Sequence, residues 1–289
     1  MTEYKSEWAS KLYSMRLQSL SEVFMVDKPV IAMVHLPPLP GSPGFEGYSF
    51  EDVVEKAIEE AGILADNGVD GLIVENMWSL PYYAGSRVPL TDVVCVAVAA
   101  REVVKTVDIP VGVNLIHNGG VSTLTAAMAA GAEFIRVCLF TGGALWDVGG
   151  FDTGVAADLL RARKYLGCHG IRIFADVRKK HSVMFPGVDL EIHARWCDFY
   201  LADALIVTGS MTGVPPSIED IYTVKRAAPE RPVIVGSGVD HSNIDEFLRV
   251  ADGVIVGTSL KYEGLTQNPV DPKRVKILVE KAREAREKQ

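Results

Sequence analysis

The sequence predicts an α/β protein built as one (β/α)8 TIM barrel with an extra helix ahead of it. Two observations predict this. After residue 28 one unit recurs eight times, a short β-branched run, a turn and an amphipathic stretch of helical length, and the polar residues of the runs gather at their carboxyl ends. Eight alternating units close naturally into a parallel barrel, whereas an open doubly wound sheet does not usually take so many regular ones.

The strand runs fall at 30–35, 69–75, 110–114, 133–138, 171–176, 204–208, 232–236 and 253–257. Successive strand residues face opposite ways, so one parity must meet the outer helices and be aliphatic. In the first run that set is Val30, Ala32 and Val34, which sends Ile31, Met33 and His35 inward. The same rule turns Gly71, Ile73 and Glu75 inward in the second run, Gly112 and Asn114 in the third, and Phe134, Arg136 and Cys138 in the fourth. In the fifth it selects Arg172, Phe174 and Asp176, and the sixth ends on Thr208.

Helices are expected at about 50–67, 90–107, 120–130, 154–166, 189–201, 217–228, 241–250 and 271–286. Start signals include Ser49 before Phe50-Glu51-Asp52, Thr91 near Asp92, and Asp271-Pro272, where proline suits the first helical position. Residues 4–20 read as a further amphipathic helix with Tyr4, Trp8, Leu12 and Met15 on one stripe, covering the barrel bottom or an interface. The chain thus divides into a helical extension, 1–28, and a barrel, 29–289. Three long connections, 36–48, 76–90 and 140–151, leave strand ends on the catalytic face, and loops of that length are usually functional.

The 289 residues are 48% hydrophobic and 23% charged, with no apolar stretch of 18 residues, as expected of a globular rather than a membrane-spanning chain. Charges interrupt the first twenty residues, so no secretory signal is read there and a cytoplasmic protein is expected. Cys95, Cys138, Cys168 and Cys197 form no C-x-x-C pair, which argues against a zinc site or a disulfide framework. A net charge of −8 argues against nucleic acid or an anionic membrane as the main partner, and Arg178, Lys179 and Lys180 suffice only for one anionic ligand. The extra helix and the aromatics Trp78, Tyr82 and Tyr83, taken as exposed, suggest a symmetric homo-oligomer.

The inward polar residues make a ring of His35, Glu75, Asn114, Arg136, Asp176 and Thr208 at the mouth. Such groups can merely satisfy one another. Two carboxylates with an arginine and a histidine can also supply a general base, a polarising cation and a proton shuttle. Asp176 and Glu75 are expected across the mouth from each other, one of them acting as general base or metal ligand, with His35 or Arg136 balancing developing charge. No ligand motif specifies a metal and no G-x-G-x-x-G follows an early strand, so the metal and any cofactor are left open. His181, in the loop after Asp176, ranks above His193 as a further catalytic candidate, and Cys138 is read as packing. A Schiff-base mechanism is disfavoured because no strand carries a lysine, Lys180 and Lys261 lying in loops.

The last two strands each end in a small-residue turn. Gly236, Ser237 and Gly238, with Gly257, Thr258 and Ser259, can turn amides and hydroxyls toward one anion, the usual place for phosphate in such barrels. Thr208 and Gly209 extend this corner. A bulky residue at Gly238 or Gly257 is expected to block the anion and leave the fold intact.

IAMVHLPPLPGSP (31–43), DVRKKHS (176–182), VTGSMTG (207–213) and VGSGV with DGVIVGTSLKYEG (235–264) resemble the BtpA/SgcQ family over nearly the whole chain after residue 28. That resemblance implies a barrel. It also implies two different roles, since cyanobacterial members are associated with photosystem I biogenesis and others look like enzymes of sugar or nucleoside metabolism. Two functions are therefore expected: an enzyme acting on a small phosphorylated metabolite by acid/base lyase, isomerase or glycosyl-transfer chemistry, or a non-catalytic biogenesis or assembly factor.

Overall fold

The structure is a computed structural model and describes residues 6–8, 14–83 and 87–288. Eight parallel strands close a barrel in the order β1 (Val30–His35), β2 (Gly71–Glu75), β3 (Val111–Asn114), β4 (Phe134–Val137), β7 (Arg172–Val177), β9 (Ala204–Val207), β10 (Val233–Val235) and β11 (Gly253–Val256). Closure is made by β1 beside β11, with Val30 opposite Val254. Among the described residues the outer layer is α2 (Phe50–Asp66), α3 (Leu90–Thr106), α4 (Val121–Ala130), α5 (Ala156–Tyr165), α6 (Leu190–Phe199), α7 (Ile218–Ala227), α8 (Ile244–Val250) and α9 (Pro272–Glu287), preceded by a short α1 (Ser21–Phe24).

The alternation of facing separates two cores. Val30, Ala32, Val34, Leu72, Val74, Val111, Val113, Ile135 and Ile173 pack outward against the helices. Ile31, Met33, Ile73, Phe134, Phe174, Ile206, Ile234 and Ile255 fill the barrel interior. Two inward glycines make room there: a Cβ on Gly112 would lie 2.3 Å from the Phe134 ring, and one on Gly71 would lie 2.5 Å from Phe24. Phe24, Phe134 and Phe174 fill the lower interior, so among the described residues the space for a ligand lies toward the carboxyl end of the barrel.

The Ser49 start signal is a full capping box, its hydroxyl accepting from the Asp52 amide at 3.2 Å while Asp52 accepts from the Ser49 amide. Asp271 caps α9 with Pro272 in the first turn. Thr91 caps nothing: α3 begins at Leu90 after Pro89, which fixes the entry angle by its own ring.

Two expectations need correcting. Of the stripe expected over 4–20, Tyr4 and Leu12 lie outside the described residues, while Trp8 and Met15 are exposed and residues 15–20 are turn and coil. The barrel bottom is covered instead by Leu17, Leu20, Val23 and Phe24, which dip into the interior core. Burial of these four outweighs continuing a helical stripe. Arg231 fixes the segment by donating to the Leu17 carbonyl at 2.6 Å, and Arg16 pairs with Asp198 at 2.6 Å. The stretch 140–151 is also not a plain loop. It carries β5 (Gly143–Trp146) and the start of β6 (Phe151–Thr153), a hairpin that joins β8 (Ser182–Met184) in a small antiparallel sheet over the mouth. Four glycines and strands of only four and three residues give this hairpin no readable alternation.

Candidate active site

At the carboxyl end of the barrel a cavity of about 760 Å³ opens between the β-strand ends and the long loops. Its floor comes from strand-end residues whose facing was set by the alternation described above. Glu75, at the end of β2, is 4% exposed, and the Asn114 side-chain amide donates to its Oε2. His35 Nε2 stands 3.9 Å from Glu75 Oε1. Burial alone would raise the Glu75 carboxyl, but His35 when protonated, Arg136, Lys179 and Lys180 overcome it and hold the group below its ordinary range. Burial pushes His35 down to about 4, so the pair is an ionised carboxylate beside a neutral imidazole at pH 7.

Asp176 is placed differently. It is fully buried and takes a bidentate pair of bonds from Arg136, Nε and Nη2 each at 3.0 Å, with Lys179 Nζ at 3.3 Å. Against the cost of burial, Arg136 first and Lys179 second keep its carboxyl well below the usual range. Arg136 and Lys179 line the cavity, whereas Asp176, Asn114 and Thr208 stand behind its wall. The ring is thus two layers. Glu75, His35 and Arg136 meet the cavity, and Asn114 and Asp176 hold them in place.

The sequence profile of the BtpA family matches residues 26–284. The chain belongs to the BtpA family. An uncharacterized protein of Thermococcus kodakarensis is 39% identical over 262 residues, covering 90% of this chain and 97% of that one. The photosystem I biogenesis protein BtpA of Synechocystis is 38% identical, covering 90% of each. Among solved structures, Mycobacterium tuberculosis tryptophan synthase superposes with a TM-score of 0.59 at 17% identity over 93% of this chain and 98% of that one. N-(5'-phosphoribosyl)anthranilate isomerase from Pyrococcus furiosus does so at 0.54 and 18%, over 89% and 99%. At such identities these two show the shared barrel fold.

In this BtpA-family protein the loops after β10 and β11 form one wall of the cavity, with Gly236, Ser237, Gly238, Gly257, Thr258 and Ser259 all lining it. The hydroxyls there are engaged. Ser237 Oγ donates to the Val214 carbonyl at 2.8 Å and accepts from the Gly209 amide at 3.0 Å, Ser259 donates to the Val239 carbonyl at 2.7 Å, and Thr258 bonds Thr266 at 2.8 Å. The Gly236 amide is spent as well, on the Val207 carbonyl at 2.8 Å, and Arg274, which also lines the cavity, donates to the Ser259 carbonyl at 3.2 Å and brings a side-chain cation to this wall. Thr208 and Gly209 serve as braces, since Thr208 Oγ1 accepts from the Lys180 amide at 3.1 Å.

His181 lies at the rim, Nδ1 2.8 Å from Asp147 and Nε2 3.0 Å from Thr212, so it ties together three loops. His193 is a core histidine: Nε2 lies 3.0 Å from the Thr141 carbonyl and donates to it, while Nδ1 accepts from the Arg178 amide. Tyr82, expected to be exposed, turns into the mouth with its hydroxyl on the Met77 carbonyl. Together with Trp146 it encloses His117, ring centroids 4.9 and 4.6 Å away. His117 escaped the sequence reading because it follows β3 in an aperiodic loop. It is 4% exposed, lines the cavity, and burial lowers it to about 4. Nδ1 of both His35 and His117 is buried without a hydrogen-bond partner among the described residues. Buried polar atoms are rarely left so, and both belong to residues of the cavity wall.

The four cysteines are buried and free, and Cys138 is raised by burial, as suits a packing role. Among the described residues no three His, Cys, Asp or Glu side chains converge as a metal-ligand set, and no helix is long and apolar enough to cross a membrane.

Proposed function

We propose that this BtpA-family protein is an enzyme that takes a small phosphorylated metabolite, a sugar phosphate or nucleotide-like molecule, and transforms it by acid/base chemistry of the lyase, isomerase or glycosyl-transfer type. The observation that carries the reading is Glu75: an ionised carboxylate on the floor of a large cavity, beside neutral His35 and lining the same space as the turns after β10 and β11. A carboxylate so placed can take a proton from a bound ligand, with Arg136 stabilising the negative charge that develops and His35 exchanging a proton with the same ligand. Asp176 positions Arg136. The turns and Arg274 hold the phosphate, and His181 and Asp147 stand at the entrance.

A thermal-shift screen tests this directly. Phosphorylated metabolites are expected to raise the melting temperature where their dephosphorylated counterparts do not, a ligand at a hundred times its Kd adding about 2.7 kcal/mol. Equal or absent shifts for the two series would remove the phosphate reading. A second reading, a non-catalytic biogenesis factor, is favoured by the role named for the Synechocystis relative. It requires no ligand in the cavity, so the same screen separates the two.

A further inference from the structure

Three lysines of the loops beyond the strands are withdrawn from solvent, and they differ in one respect. Lys261 Nζ pairs with Glu60 at 2.7 Å, and Lys179 Nζ with Asp176 at 3.3 Å. Lys180 is half-buried on the cavity wall, and among the described residues its amine has no carboxylate partner. Its backbone is pinned, the Lys180 amide donating to Thr208, so the side chain is directed into the cavity by a fixed loop.

We propose that the Lys180 amine is a nucleophile that forms a Schiff base with the carbonyl group of a ligand in the cavity. This rests on the reading of the cavity as an active site. It names the substrate class more narrowly, an aldehyde or ketone or a sugar that opens to one. The disfavour shown above toward such chemistry assumed that the lysine must sit in a strand, and a residue four positions beyond Asp176 reaches the same space.

The environment supplies the state the reaction needs. The charged and titratable groups around the amine are Lys179, Arg136, Glu75, Asp176 and His35. Burial, then the neighbouring cations Lys179 and Arg136, bring Lys180 down to about 7, so about half is the free base at neutral pH. The lone pair of that neutral amine adds to the carbonyl carbon. The carbon–oxygen π pair moves to oxygen, and one proton passes from nitrogen to oxygen to give a carbinolamine. Glu75, an unprotonated carboxylate in the same cavity, can relay that proton. Loss of water, with the second amine proton leaving alongside the hydroxyl, gives the imine. Amine plus carbonyl thus yields imine plus water, with no oxidation or reduction.

The test uses the full chain and two measurements. In trace labelling with acetic anhydride at pH 7, Lys180 is expected to react on the order of 10² to 10³ times faster than exposed lysines, since its neutral fraction is about 10³ times theirs and the lower nucleophilicity of a weaker base offsets part of that. A rate equal to theirs overturns the proposal without any variant. In the second, dihydroxyacetone phosphate and dihydroxyacetone are each added with sodium borohydride and the peptides are weighed. An adduct on the Lys180 peptide, absent from Lys180→Arg and Lys180→Met, is the expected result. Adducts spread evenly over exposed lysines overturn it. If dihydroxyacetone labels Lys180 as readily as its phosphate, the amine role stands and the phosphate corner fails. If the phosphate raises the melting temperature of wild type and Lys180→Met alike with no adduct on either, the corner stands and the nucleophile falls.

Discussion

Asp176 and Glu75 share an inward facing and look equivalent in sequence, yet their partners separate them. Replacing Asp176 with Asn leaves Arg136 and Lys179 buried beside a neutral amide, so Asp176→Asn is expected to cost about 3–5 kcal/mol and to lower the melting temperature sharply. Glu75→Gln keeps an oxygen for the Asn114 amide, so it is expected to melt close to wild type and, once a substrate is in hand, to lose about 10²–10⁴ in turnover. Kinetics beside melting curves for both variants check this pair of outcomes; equal behaviour of the two would refute the division of labour. The buried histidines give a pH dependence. His35, His117 and His193 titrate at about 4 in the fold and near 6.5 when unfolded, so between those values the unfolded chain binds more protons. Stability is therefore full above about pH 6.5 and falls as pH drops toward 4, by up to about 1.4 kcal/mol per pH unit for each histidine. Melting temperatures from pH 7.5 to 4.5 measure it, and a flat profile would contradict it. His35, Glu75, Arg136 and Asp176 were legible because strand alternation alone assigns their facing. His117, Tyr82 and the free amine of Lys180 were not, since loop residues have no period from which a direction follows.

At the level of elements, the turn after β10 is fixed by its neighbour as much as by its own sequence. Gly238 has φ +69°, and a Cβ there would lie 2.2 Å from the Pro215 backbone nitrogen, so the turn is wedged against the loop after β9. Gly238→Ala is expected to destabilise the protein by more than 1 kcal/mol, since an L side chain meets both strain and a backbone clash, and urea denaturation checks this. The expectation that substitution here spares the fold fails for that reason. Gly257 is the better probe of the corner, because its Cβ would meet side-chain atoms, His35 Cε1 at 2.9 Å and Met33 Cγ at 3.3 Å, which can shift more easily. All eight barrel strands and their helices were readable to within a few residues from hydrophobic period and start signals. The β5–β6 hairpin was not, as strands of three and four residues among glycines carry too little pattern.

For the whole molecule, the segment Leu17–Phe24 acts as the floor of the barrel, with Leu17 fully buried and held through its carbonyl by Arg231. Leu17→Ala is expected to cost about 2–5 kcal/mol by opening a cavity in the interior core, measurable by denaturant titration; a loss below 1 kcal/mol would show that this floor is dispensable. The small sheet over the mouth exposes Leu145, Phe151 and Val183, with Phe185 just beyond it, and an apolar patch of this kind is the basis for a prediction that the chain self-associates. Light scattering showing a monomer at micromolar concentration would count against it. That the barrel would be floored was partly legible, since an amphipathic lead segment was read, but the residues that insert are set by the shape of the space that Gly71 and Gly112 leave open.

The ring closes between β1 and β11, strands more than two hundred residues apart, and this has a consequence for the chain as it is made. Until the segment ending at Val256 has left the ribosome, β1 has β2 on one side and a bare row of amide and carbonyl groups on the other. The nascent protein therefore spends most of its synthesis as an open sheet with a sticky margin, and a message truncated before codon 253 should yield an insoluble product rather than a smaller folded one.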